Sequence, residues 1–187
     1  NNSSGALGAT GPMLAAEYST SIYSSHQLQL MLMNLAGNYT LRQDVNVAAT
    51  GLLTDVWNSN NFVPVGTSTA TPFTGTLDGA GHVVSGLVIN RPGTNFAGLI
   101  GATSSTAIVR NIGLEGGSIT GKNATGALIG SNLGTVSGSF STASVRGATQ
   151  VGGLVGANGA GSTITNSYAR GAVAGTGTIG GLVGLNT

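Results

Sequence analysis

Gly152-Gly153-Leu154-Val155-Gly156 recurs as Gly180-Gly181-Leu182-Val183-Gly184, which sets Leu154 and Leu182 28 residues apart. A glycine-rich pentapeptide repeated at such an interval suits a ligand loop, a linker, or one rung of a stack, and the neighbouring residues choose among them. Gly98-Leu99-Ile100-Gly101 and Ala127-Leu128-Ile129-Gly130 precede it, so Leu99, Leu128, Leu154 and Leu182 align at intervals of 29, 26 and 28. A second register joins Ile108, Val136 and Ile164, each 28 residues on, and four residues later Ile112, Phe140 and Tyr168 keep the same step. A third joins Ile119, Val145 and Val173, each followed two residues on by Gly121, Gly147 or Gly175. A fixed period of this length marks an architecture in which each unit buries its apolar residues against its neighbours.

Within a unit the apolar residues alternate over short runs, as in Thr163-Ile164-Thr165 and Ala172-Val173-Ala174, with Gly or Asn between the runs. Period-two alternation of β-branched residues predicts strands, and the glycines leave no helical stripe. Three short strands per unit, each pointing an apolar side chain at a shared axis, give one coil of an all-β parallel β-helix with coils of about 28 residues. Successive coils then pair about 4.8 Å apart. The three registers are the expected stacked core. Asn132, Asn158 and Asn186 each fall four residues beyond an aligned leucine. Stacked, they predict a ladder of side-chain amides; the same row facing solvent would instead be a ligand surface.

Upstream the period changes. Leu28, Met31, Leu32 and Leu35 stand at i, i+3, i+4 and i+7 with Gly37 beyond them, which predicts a short amphipathic helix near residues 27–36 covering one end of the β-stack. Tyr39-Thr40-Leu41, Val45-Asn46-Val47 and the block Phe73 to Ile89 read as strands of irregular early coils. The expected division is therefore 1–25, 26–97 and 98–187: first a flexible leader, extra strand or docking arm, then the capping helix with irregular coils, then the regular repeats.

Composition narrows the function. Of 187 residues 40% are apolar, 6% are charged, and the net charge is +1. Binding to nucleic acid or an anionic membrane is not expected, because it relies on clustered Lys and Arg, and the six basic residues are scattered. There is no cysteine, so neither a disulfide nor a thiolate ligand is available. No apolar run approaches the roughly 18 residues of a membrane helix, so membrane insertion is not expected. If the protein is exported, its signal peptide is already absent, because Asn1-Asn2-Ser3-Ser4-Gly5 does not resemble one.

Chemistry-bearing residues are few. The acids are Glu17, Asp44, Asp55, Asp78 and Glu115, none adjacent or repeated in register. Asp78 and His82, flanking Gly79-Ala80-Gly81, are the sharpest candidates for an acid–histidine pair, against the plainer role of Asp78 as a turn residue. His26 and His82 stand 56 residues apart and make no metal signature. The glycine-rich pentapeptide lacks the Gly-Lys-Ser/Thr of a phosphate loop. No catalytic, cofactor-binding or metal-binding residue is expected, and no enzymatic activity. A regular Thr-x-Thr face of the kind that binds ice is not present either, since Thr163-x-Thr165 has Thr135-x-Ser137 and Ala107-x-Val109 before it.

Gly153-Leu154-Val155-Gly156-Ala157-Asn158, with Ile164-Thr165-Asn166-Ser167-Tyr168-Ala169-Arg170-Gly171, closely resembles the GLUG repeat. The blocks Asn38 to Val45, Trp57 to Gly66 and Phe73 to Ile89 are similar to the region before such repeats in filamentous-haemagglutinin-like proteins exported by two-partner secretion. In the coil that carries Ser137-Gly138-Ser139-Phe140 the chain departs from the Asn-Ser-Tyr of the repeat. The resemblance implies a right-handed parallel β-helix in a bacterial adhesin, extracellular or on the cell surface. The partners expected are adjacent repeats or other copies stacked end to end, with host or matrix glycans or proteins as possible receptors. Two other uses stand beside attachment: the subunit of a self-assembling extracellular filament, and an enzyme acting on glycans.

Overall fold

The computed structural model describes residues 15–52, Trp57 and 61–187. From Ile100 onward every coil runs through five short parallel strands rather than three. One full circuit consists of Ile129–Asn132, Thr135–Ser137, Phe140–Ser141, Ser144–Arg146 and Thr149–Gly152, which lie on faces I to V in that order. Face I then resumes at Val155–Asn158, pairing in parallel with Ile129–Asn132. Each face is a parallel sheet across successive coils, four strands deep on face I, six on face II, five on III, four on IV and three on V.

Inward rows follow from the pairing. Leu77, Val109, Val136 and Ile164 stack on face II. Ile89, Ile119, Val145 and Val173 stack on face IV, and Ile100, Ile129, Val155 and Val183 on face I. Leu99, Leu128 and Leu154 are fully buried, with Leu182 packed against them. Removing such a leucine to alanine costs about 2–5 kcal/mol in a packed core.

Two of the expected core rows need correction. Ile108 pairs with Thr135 and is 37% exposed, whereas Val109 pairs with Val136 and is buried. The identical spacing from Ile108 to Val136 misled because a strand alternates its faces, so a shift of one residue exchanges core for solvent. Likewise Phe140 pairs with Gly113 and Tyr168 on the outside of face III, and Tyr168 is 45% exposed. Ile112 is buried but stands one position before that row. Differences in coil length are absorbed at corners. Leu114 and Ile119 are five residues apart, with Gly116 and Gly117 at positive φ between them, and the equivalent Ser141 and Val145 are four apart.

The pentapeptide bridges faces V and I. Its final glycines, Gly130, Gly156 and Gly184, lie directly on the opposite wall. A Cβ on Gly156 would come within 2.4 Å of the Thr125 backbone nitrogen, and one on Gly184 within 2.4 Å of the Val151 nitrogen. Faces V and I therefore meet backbone to backbone, with no room for any side chain.

At the N-terminal end Ser21–Ile22 pairs with Thr40–Leu41 as the outer strand of face II, so ordered pairing starts before residue 25; residues 1–14 of the expected leader lie outside the described residues. The predicted helix is Ser25–Leu30, with the Ser24 side chain accepting from Gln27 N at its start, and it continues as a 3-10 turn over Met31–Met33. It ends before Gly37. Leu28 and Met31 enter the core, whereas Met33 is 57% exposed. Gln29 Nε2 donates to Val63 O at 2.9 Å, and Val63 N donates to Gln29 Oε1 at 2.8 Å. One side-chain amide thus satisfies a donor and an acceptor that a neighbouring strand would otherwise pair.

Gly156→Ala is expected to destabilise the chain by about 3 kcal/mol or more, the upper range for overpacking. Gly93→Ala, with nothing within 4 Å of its Cβ position, is expected to shift the urea midpoint little. Equal midpoints for the two variants would contradict backbone contact between faces V and I.

Candidate functional site

The polar side chains fall into three groups. The first is inside the coil. Thr103 Oγ1 donates to Asn132 Oδ1 at 2.8 Å, Asn132 Nδ2 to Asn158 Oδ1 at 2.8 Å, and Asn158 Nδ2 to Asn186 Oδ1 at 2.8 Å. Asn132 also closes its own turn, donating to Gly134 O and accepting from Gly134 N, both at 3.1 Å. Asn132 is fully buried and Asn158 is 6% exposed. Buried amides need partners, and here each coil supplies the partner for the next. Asn132 and Asn158 face the interior, and Asn186, on the last coil, is exposed.

The second group lies along the outside of the early coils: Asp78 takes the turn role, accepting from Ala80 N, and the candidate Asp78–His82 pair gives way to two others. His82 Nδ1 lies 3.2 Å from Asp44 Oδ1, which also accepts from Val83 N at 3.0 Å. Asp78 accepts from Ala80 N at 2.9 Å, Arg110 Nε at 2.9 Å and Asn111 Nδ2 at 3.3 Å. Asp44 comes from one coil and His82 from the next, 38 residues on, so neither proximity in sequence nor a motif could reveal the pairing. The Val83 amide and His82 hold Asp44 below the usual carboxylate range. Partial burial pushes Asp78 up, but the bonds from Ala80, Arg110 and Asn111 outweigh it and leave its pKa lowered. Neither carboxyl is kept protonated as a general acid requires. His26 Nδ1 lies 2.9 Å from Glu17 Oε2, tying the segment before the helix to the helix itself. Asp55 lies outside the described residues. Among the described residues no cluster of three His, Cys, Asp or Glu could hold a metal, and no helix is long and apolar enough to cross a membrane.

The third group is on face III. The Phe140 and Tyr168 rings stack at 5.2 Å between centroids and 7° between planes. The Arg170 guanidinium lies 5.0 Å from the Tyr168 centroid, at cation–π distance. A concavity of about 450 Å³ opens beside them, between Asp78, Asn111, Gly138 and Phe140. A second, of about 390 Å³, lies between Leu32, Val63, Arg91 and Phe96. Burial lowers the Arg91 pKa, and its Nε donates to Phe62 O at 3.3 Å. The periodicity predicts Phe140 and Tyr168 in the core, so the exposed stack is not visible in it; Ser139 and Ser141 on either side of Phe140 are the buried residues, the reverse of what polarity suggests.

A parallel β-solenoid with an internal amide ladder is the class of structure these features define. The GLUG motif matches residues 147–174, which is one circuit starting and ending next to face IV. The chain thus carries a GLUG repeat. It is 37% identical to halomucin of Haloquadratum walsbyi over 128 residues, covering 68% of this chain and 1% of that protein. It is 32% identical to a "Putative Gly-rich membrane protein" of Evansella cellulosilytica, covering 54% of this chain and 15% of that one. The chain therefore spans a small part of the relatives it matches. In structure it is similar to a "putative immunoglobulin A1 protease" of Bacteroides ovatus, with a TM-score of 0.60 and 20% identity, covering 95% of this chain and 64% of the other. That likeness concerns the fold.

Two outcomes follow. Asn158→Ala leaves the buried Asn132 amide short of one acceptor and is expected to cost about 1–3 kcal/mol, read as a lower urea midpoint; an unchanged midpoint would contradict the ladder. Because the Asp44 and Asp78 pKa values are lowered by folding, their contribution is complete above the unfolded value of about 3.9 and is lost as pH falls through the folded values. The fall in Tm between neutral pH and about pH 2.5 should therefore be smaller in Asp78→Asn than in the wild type; an equal fall would contradict the assignment.

Proposed function

We propose that this chain is a rigid structural segment of an extracellular surface protein, extending the molecule by whole coils and displaying a polar, weakly charged wall for attachment. The observation that supports this most is the continuity of the hydrogen bonding along the axis: five parallel sheets and the internal ladder run through the same coils. Repetition of this kind resists bending because each coil is held to its neighbours over its whole circumference. With 6% of the chain charged, a wall wetted by Ser, Thr and Asn remains nearly unaffected by salt. The similarity to halomucin and the GLUG motif support a role in a large surface protein, and the filamentous-haemagglutinin-like setting belongs to the same proposal, resting on the upstream blocks from Asn38 to Ile89.

Axial assembly of identical subunits is the second reading. Strand edges invite addition of another strand, but head-to-tail stacking would have to displace the Ser25–Leu30 helix and the Gln29 amide from Val63. That places it behind the segment reading. Catalysis on glycans is less favoured still, since Asp44 and Asp78 are both committed as ionised acceptors.

Small-angle scattering and electron microscopy separate these readings. Dispersed rods whose mass does not change with concentration support a segment, and fibres lengthening with concentration would overturn it in favour of assembly.

A further inference from the structure

Face III changes character at one coil. At the corner between faces II and III the chain is left-handed in three successive coils, at Asn111, Gly138 and Asn166, with φ of 51°, 56° and 49°. Asn is among the few residues with a side chain that accepts this conformation readily. The middle coil carries glycine instead, and a Cβ there would lie 2.8 Å from Asn111 Oδ1. One residue past the next buried position the same coil carries Phe140, set over Gly113. A Cβ on Gly113 would come within 2.4 Å of Phe140 Cζ. Gly113 and Gly138 together open the concavity of about 450 Å³.

Its two walls differ in chemistry. One presents the Asp78 carboxylate, fixed by three donors, with the Asn111 amide and the half-exposed Arg110 beside it. The other presents the Phe140 ring, which lies over Gly113 and is backed on its far side by Tyr168. Planar carboxylate and amide groups match pairs of adjacent hydroxyls, and aromatic rings offer an apolar surface to C–H groups. A ligand with hydroxyls along one side and C–H bonds along the other satisfies both walls. An extended peptide finds less here, because the backbone is already paired: Phe140 N donates to Ile112 O, and Gly113 N to His82 O. An anionic ligand would meet the Asp78 carboxylate.

We propose that the notch at Gly138 binds one sugar unit of a neutral polysaccharide, with Asp78 and Asn111 taking its hydroxyls and the Phe140 ring its C–H face. The notch belongs to a single coil, so it goes beyond the role of the rod and does not depend on whether copies assemble.

Native electrophoresis of the full chain through gels containing a β-glucan, an α-glucan, a galactomannan or a polyuronate tests this. The wild type should be retarded by at least one neutral polymer, with an apparent dissociation constant that rises at least tenfold in Phe140→Ala and in Gly138→Asn. The second variant fills the notch with the residue its neighbours already carry at that backbone conformation, and its Cβ meets first the movable Asn111 Oδ1; its Tm should match the wild type. Unhindered migration in all neutral gels would overturn the proposal, as would retardation by polyuronate alone or wild-type affinity in both variants. None of these outcomes alters the scattering profile by which the rod is judged.

Discussion

Everything in this molecule depends on the contact of two backbones. Where face V turns into face I, Gly130, Gly156 and Gly184 lie so close to the backbone of the coil before that a single methyl group would overlap it. The cross-section narrows there to a paired wall, and apolar rows stack on face I as well as on faces II and IV. The Leu and Val between the glycines then fall into the core, and the next Asn is delivered to the same interior site in each coil. Composition is a consequence of this geometry. Many glycines are required where backbones touch, and short β-branched runs are required between the corners.

The ladder and the glycine contact support each other. Buried amides are costly unless all partners are in place, and the partners of Asn158 lie one coil below and one coil above. Register errors that would leave an amide unpaired are therefore disfavoured, and in-register stacking is specified by polar as well as apolar side chains. At the N-terminal end the repetition stops with a helix and with Gln29, whose amide substitutes for a strand.

Much of this was legible in the sequence. The glycine pentapeptides and the Asn row repeat with the coil, so period alone located them. The row of Val145 and Val173 was legible for the same reason. Ile108 was not, because Val109 beside it is equally apolar and the coil at that point is one residue shorter to Val136. Phe140 and Tyr168 resemble core residues in any count of hydrophobicity; what places them outside is pairing with Gly113, a contact between coils. The Asp44–His82 contact was hidden likewise, since it joins residues 38 apart. Period reveals what each coil repeats, and the outer face is where the coils differ.

Distances between spin labels along face II test the in-register stack most directly. Thr40, Asp78, Arg110, Ser137 and Thr165 are successive partners on that face. Labels at Thr40 and Ser137 should lie three strand spacings apart, about 14 Å, and labels at Thr40 and Thr165 four spacings apart, about 19 Å, at roughly 4.8 Å per coil. An increment of that size between the two pairs is what the account predicts. Distances that fail to rise by one strand spacing, or that spread over tens of ångströms, would contradict it.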